Sequence, residues 1–454
     1  MKNLVRDRDF YKHLAAIAIP LSLQNIISFG VQMMDTVMVG SLGDTALSAA
    51  NLAGQPFFVF MVFNFGLASG GAVLIAQYWG RGDVHVCRRV LAISMRCIAI
   101  TAIVFTFVCK LFPTQILSLF SREHEVIALG ADYLSIVSYS YIFNGIASSY
   151  LMSIRAIENV KLSTFVYTVS FFVNVFFNYC FIFGKFGFPE MGLAGAAVGT
   201  VIARISEFII VLIYTSFIEK KLGFKLRNLL EQERELLPDY FRHSLPVVGS
   251  ELIWSLASVT QAAIIGRIGS SFVAANSIAN VVQQLAMVAM FGIGNATAVI
   301  MGKTVGEGRR DYARKIGNTM TLMAFAIGLC GCAIVLSLRG VAVSIYNVTP
   351  ETRQLAYEIM GVMAIAVIGN AIEITSITGI LRGAGDTRFA FAVDASCAWL
   401  ISVPMGLLAG FVWRLPVLAV FICLRTDIPI RITLCLTRIL RGKYIKNVTR
   451  DISS

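Results

Sequence analysis

Asp35 sits in QMMDTVMVG, near the end of an apolar run that starts near Leu14 and carries no earlier charge. A carboxylate at the centre of a helix in lipid costs at least about 2.5–3.5 kcal/mol. It must be neutralised or face a wet cavity. The chemistry open to it there is uptake and release of a proton or a small cation. Asp35 precedes Gly40 by five residues, which puts it about 7 Å from the helix end; it reads either as an end-of-helix charge reaching the interface or, since its short side chain cannot snorkel far, as a functional carboxylate.

Other polar residues lie in apolar surroundings. Asn174 and Asn178, in FVNVFFNYCFIFG, are four residues apart and share a helix face. Thr200 follows in GLAGAAVGT. Amides and a hydroxyl can hydrogen-bond a protonated Asp35, or lend oxygens to Na+ around an ionised one. Two Asn in a membrane helix also serve simply as packing contacts. Glu251 lies nine residues past Arg242, and Glu373 nine before Arg382. Both are about 13 Å in from those arginines, a common depth that permits a shared proton-holding site; each can equally pair with a polar neighbour. Arg204 and Glu207, three apart, read as a structural ion pair, and Arg96 as a snorkelling side chain. Asp394, six residues past Arg388, has no role legible from spacing.

The elements that position these groups follow from composition. The chain has 454 residues, 57% hydrophobic and only 14% charged, against about 25% charged in soluble domains. A span needs about 20 apolar residues. Runs of that kind fall near 14–40, 46–78, 90–111, 126–152, 162–184, 191–217, 244–266, 272–302, 316–338, 354–381, 389–411 and 415–438. The expected fold is all-α and polytopic, with twelve transmembrane helices. The last run is interrupted by Arg425, Asp427, Pro429 and Arg431. The first reads as an uncleaved span, with no small-residue cleavage site behind it.

Basic residues crowd alternate loops, which accounts for the net charge of +12 without nucleic acid as a partner. Both termini are therefore expected in the cytoplasm and the chain in the plasma membrane, surrounded by lipid. Nine scattered cysteines and four histidines show no metal-ligand spacing. GRGD and GEGR lack nucleotide-binding context, so no cofactor is expected and the chain does not read as an enzyme.

The halves repeat. Pro20 recurs as Pro246 and Gly40 as Gly266, each 226 residues on; IRAIENVK recurs as LRGAGDTR, 227 on. The expected organisation is a first lobe over 1–218, a cytoplasmic linker over 219–243 that is partly an amphipathic helix, a second lobe over 244–440 and a basic tail over 441–454. Six spans per half orient both copies alike, so a pseudo-two-fold axis along the membrane normal is expected.

With these motifs in place, the chain resembles the multidrug and toxic compound extrusion (MATE) transporters. The resemblance rests on PLSLQN and DTVMVGSLG, AQYWGRGD, FGFPEMGLAGAAVGT, ELIWS and GILRGAGDTR. It implies monomeric antiport of organic cations against Na+ or H+ by alternating access. It also implies that Asp35 is the coupling carboxylate, a ligand when the ion is Na+, with Asn174, Asn178 and Thr200 at positions similar to its partners. Glu251 resembles a seventh-span acid of several members, and Glu373 lies near a tenth-span acid of some. Phe143, Phe172, Phe291, Met287 and Met290 are candidates to line an adaptable pocket. A lipid or oligosaccharide flippase of similar architecture and a non-transporting scaffold are the alternatives. A basic cavity would favour the first, and silent substitution of Asp35, Glu251 and Glu373 the second.

Overall fold

The computed structural model describes residues 4–231, 234–346 and 348–451, and no strand occurs among them. The first half holds α1 (Arg8–Gly40), α2 (Asp44–Arg81), α3 (Val84–Leu111), α4 (Pro113–Ser118), α5 (His124–Val137), α6 (Ser140–Ala156), α7 (Lys161–Phe183) and α8 (Gly192–Ile213). The second holds α9 (Leu237–Ile268), α10 (Ser270–Gly306), α11 (Arg310–Ile345), α12 (Pro350–Ile374), α13 (Thr387–Cys397), α14 (Val403–Leu407), α15 (Val417–Cys423) and α16 (Asp427–Leu440). Among the described residues ten helices are long and apolar enough to cross a membrane, and α5 with α6, bent by 48°, make an eleventh. The run expected as a twelfth crossing is two short helices, α15 and α16, joined at 424–426.

Helix boundaries follow local chemistry. Asp83 caps α3 by accepting from the Val86 amide, and Gly184 ends α7 in the left-handed region at φ 63°. Past α12 the backbone continues to Arg382 as a π-helical stretch over Thr375–Arg382, a feature that recurs at functional sites. Of the linker expected over 219–243, residues 219–231 form an irregular turn with a short 3-10 segment, Leu226–Leu230, and residues 237–243 already belong to the helix α9. Gly223 adopts φ +61°, and the Glu219 carboxylate accepts from the amides of Leu222 and Gly223, which breaks any helix there. Arg96 does not snorkel freely: it donates to the Glu231 carbonyl at 2.6 Å and fixes this turn.

The chain divides into two compact units. One comprises Leu23–Ile75 and Asp83–Val248; the other comprises Met1–Ser22, Ala76–Gly82 and Gly249–Ser454. In the first unit α8 lays the ridge Gly195, Gly199, Ala203 and Glu207 against α7. A Cβ on Gly195 would meet the Phe181 carbonyl oxygen at 2.4 Å, so the backbones approach as closely as glycine permits. The facing ridge of α7 is Ser170, Asn174, Asn178 and Ile182, all buried. In the second unit Phe272, Met290, Met360, Met363 and Phe421 belong to one buried cluster. Met290, expected to line a pocket, is therefore core, whereas Phe172 is 64% exposed.

Candidate functional site

In the first unit the α7 and α8 ridges create a polar position inside an apolar bundle. Asn178 Nδ2 donates to Asp35 Oδ1 at 2.6 Å and lies 3.3 Å from Asn174 Oδ1. Both amides are buried and Asp35 is half-buried. The Asn178 carbonyl oxygen is buried with no hydrogen-bond donor. Gly199 makes room for that oxygen, since a Cβ there would lie 2.1 Å from it. Thr200, one residue on, lies beside Tyr133. The structure thus joins Asp35 and Asn174 through Asn178, and sets Thr200 against Tyr133.

What neutralises Asp35 is the chemical question. Among the described residues no cationic side chain lies within ion-pair distance of it. Arg204, the guanidinium in electrostatic reach, is committed to Glu207 at 2.5 Å, and Ser170 Oγ also donates to Glu207, at 2.6 Å. Asp35 is left with neutral amides, which orient a carboxyl without cancelling its charge. A carboxylate, an amide oxygen with no donor and a second amide are the oxygen donors a proton or Na+ would meet.

Nearer the start of α7 a second set of contacts docks α1. Gln24 Nε2 donates to Ser163 and Thr164 hydroxyls at 2.7 and 2.9 Å, and its Oε1 accepts from Arg155 Nη2 at 3.0 Å. The sequence reading passed over this clamp because Gln24 and Arg155 lie 131 residues apart. The second unit makes a similar bond at the same separation: Arg382 Nη1 donates to Glu251 Oε1 at 2.8 Å, also 131 residues apart. At the 226-residue offset of this helix Gln24 corresponds to Ser250, so the second clamp uses an acceptor one residue further on, and a charged one.

From Glu251 an ion-pair chain extends through the second unit. Arg382 also faces Asp394 at 3.6 Å, and Asp394 faces Arg431 at 3.7 Å. Arg431 pairs closely with Glu373 and reaches Asp427 at 2.7 Å. Both guanidiniums are about 6% exposed. Glu251 and Glu373 do not meet each other; each holds its own arginine, and Asp394 stands between the two arginines. This also explains the broken last crossing. Asp427 opens α16, and the four-residue step to Arg431 turns both side chains inward. Arg382 and Arg431 were missed as site residues because, in sequence, Arg382 looks like a charge at a helix end and Arg431 like an interruption of the last apolar run.

Comparison with known proteins gives the lineage. The family model MatE matches twice, over residues 20–180 and 246–408, once in each half. The chain is 25% identical to a probable multidrug resistance protein NorM of Thermotoga maritima, over 97% of this chain and 95% of that one. It is 23% identical to the probable multidrug resistance protein YoeA of Bacillus subtilis, over 91% and 89%. Among solved structures, the Vibrio cholerae MATE transporter VcmN superposes with a TM-score of 0.87 at 17% identity, covering 96% of this chain and 98% of that one. A MOP superfamily transporter from Pyrococcus furiosus, whose binding pocket is described as reversed in polarity, gives 0.85 at 17% identity, covering 95% of each. At such identities these two likenesses speak for the fold alone.

Proposed function

The chain belongs to the MatE family, and from that premise we propose that it is a secondary antiporter exporting cationic amphipathic compounds in exchange for Na+ or H+. Its family members are transporters, and the multidrug resistance names of its relatives support the substrate class. Asp35 is the coupling carboxylate. The observation that carries this is its pairing with the Asn178 amide in an apolar span, with no cationic side chain beside it among the described residues. Its charge is then cancelled only by something that arrives and leaves. Asn178 orients the carboxyl, and Asn174 and the free Asn178 oxygen complete the donor set. Glu251 and Glu373 act differently: each is held by an arginine, and we assign them to holding the second half together.

Binding the ion at Asp35 in one facing state and losing it in the other drives export, provided ion and substrate differ in affinity for the two states. The protein is a plasma-membrane monomer with both termini in the cytoplasm, on the side where the basic loops gather. The test is transport of a dye cation in proteoliposomes of known orientation under an imposed Na+ gradient, a pH gradient, or neither. Flux driven by one gradient names the ion. Flux of no cation under any gradient, with movement of a lipid-linked substrate instead, contradicts the proposal.

A further inference from the structure

We infer that Glu207 is a positioning residue: by holding Arg204 it keeps a guanidinium away from Asp35 and leaves that carboxylate to the exchangeable ion. The inference rests on the antiport reading above. The register of α7 against α8 carries it. A Cβ on Gly195 would meet Phe181 and one on Gly199 would meet Asn178, while Ser170 Oγ donates to Glu207 Oε1 at 2.6 Å. The two ridges therefore run antiparallel in steps of about one turn, with 195 beside 181, 199 beside 178 and 207 beside 170. Residue 203 falls beside Asn174, and Arg204 follows it, five residues and about 7 Å along α8 from Gly199. Arg204 is thus little more than one turn from the place where Asn178 meets Asp35.

Direction decides which acid the guanidinium takes. A helical side chain leans toward the N-terminal end of its own helix and covers the turn before it. For Arg204 that turn holds Thr200, which lies beside Tyr133, itself a neighbour of Asp35. The same lean carries Glu207 back to Arg204, whose Nη1 donates to Glu207 Oε1 at 2.5 Å. Arginine before glutamate is the less favourable order for a helical pair. Burial and Ser170 compensate: the Glu207 side chain is 1% exposed, and Ser170 fixes the oxygen that Arg204 uses. Arg204 Nε is buried with no acceptor, so the bond to Glu207 is what orients the guanidinium.

Tyr167 and Arg155 are the other ionisable groups near this pair. Tyrosine is uncharged at neutral pH, and Arg155 donates to Gln24 at 3.0 Å. Asp35 and Glu207 are then two acids in electrostatic reach of one guanidinium, and the fold gives it to Glu207. Together Arg204 and Glu207 are neutral. Were Arg204 bound to Asp35, it would be a fixed counter-charge in competition with the proton or Na+.

The test removes the holder, then the cation. Glu207→Gln keeps the shape and deletes the charge. Ion-triggered current on a solid-supported membrane is read against Na+ and against pH. In Glu207→Gln the half-maximal ion concentration should rise about tenfold or more, and adding Arg204→Gln should bring it back to within about threefold of wild type. A merely structural pair would be harmed at least as much by the double change. Melting in detergent gives a readout apart from transport. Asp35→Asn should lower the melting temperature of Glu207→Gln by about 2–4 °C, because there Asp35 has taken Arg204, and should not lower that of wild type. If Glu207→Gln does not fold, Ser170→Ala replaces it and should shift ion dependence about threefold in the same direction; no shift there overturns the inference. Unchanged ion dependence in Glu207→Gln, or a shift that the double variant keeps, also overturns it. Wild type without current under either ion overturns the antiport reading instead; melting then decides the role of Glu207, and an equal effect of Asp35→Asn in both backgrounds overturns it.

Discussion

The Arg155–Gln24 clamp of the first half and the Arg382–Glu251 clamp of the second are similar bonds, 131 residues apart in each case, with the second acceptor one residue beyond the repeat counterpart of the first. Their surroundings differ. Around the second clamp two guanidiniums and four carboxylates, Glu251, Glu373, Asp394 and Asp427, hold one another. Around the first, Gln24 is neutral, and the carboxylate inside α1, Asp35, is hydrogen-bonded by the Asn178 amide with no cation in ion-pair distance among the described residues. A carboxylate bound to an arginine has a resident counter-charge and little reason to exchange it. A carboxylate among amides has none. The difference teaches that, within one repeated scaffold, the place for a mobile ion is found by asking which acid lacks a fixed cation, rather than where acids are most numerous.

The comparison breaks most visibly at Arg431. Arg431→Ala leaves Glu373, Asp394 and Asp427 close together without their cation. Stability should fall by roughly 3–5 kcal/mol, read as a lower melting temperature in detergent, with Arg431→Lys recovering part of it. Melting unchanged in Arg431→Ala would mean that the second-half network is not structural.

Asn178→Ala should do the reverse. It removes the partner of Asp35 and weakens ion dependence about tenfold, near 1.4 kcal/mol, while melting moves little. Gly199→Ala pushes the Asn178 oxygen away and should shift ion dependence in the same direction. Because both changes act through one amide, their effects should not add in the double variant; full additivity would separate Gly199 from the site.

Gln24→Glu gives the first clamp the charge of the second. Arg155 supplies the counter-charge and the Ser163 and Thr164 hydroxyls can turn to donate. We expect a melting shift within about 1 kcal/mol and ion-driven export within threefold of wild type, a modest change at this scale. Loss of export in this variant would show that neutrality at Gln24 matters to coupling.

Much of the fold was legible because it rests on periodic, local facts. Long apolar runs had to be helices, and a constant offset had to mean a repeat, which the double match of the family model bears out. The four-residue step from Asn174 to Asn178 put both on one face, where Asp35 indeed meets Asn178. What stayed hidden depended on distant partners. Arg382 looked like an interface charge, and Arg431 like an interruption of the last run, until Glu251 and Glu373 were seen to hold them. Asp427 looked like an interruption because the turn that aims it inward lies in tertiary structure. The tail looked merely basic, since the Gln77 amide that grips it binds its backbone and leaves no mark on its sequence.

The most direct test is ion-triggered charge movement on a solid-supported membrane, comparing wild type with Asp35→Asn and Glu251→Gln. A pulse of the coupling ion should give a current in wild type and in any Glu251→Gln protein that remains folded, and none in Asp35→Asn. A current that survives in Asp35→Asn and disappears in folded Glu251→Gln would place the exchangeable ion in the second half and contradict the account.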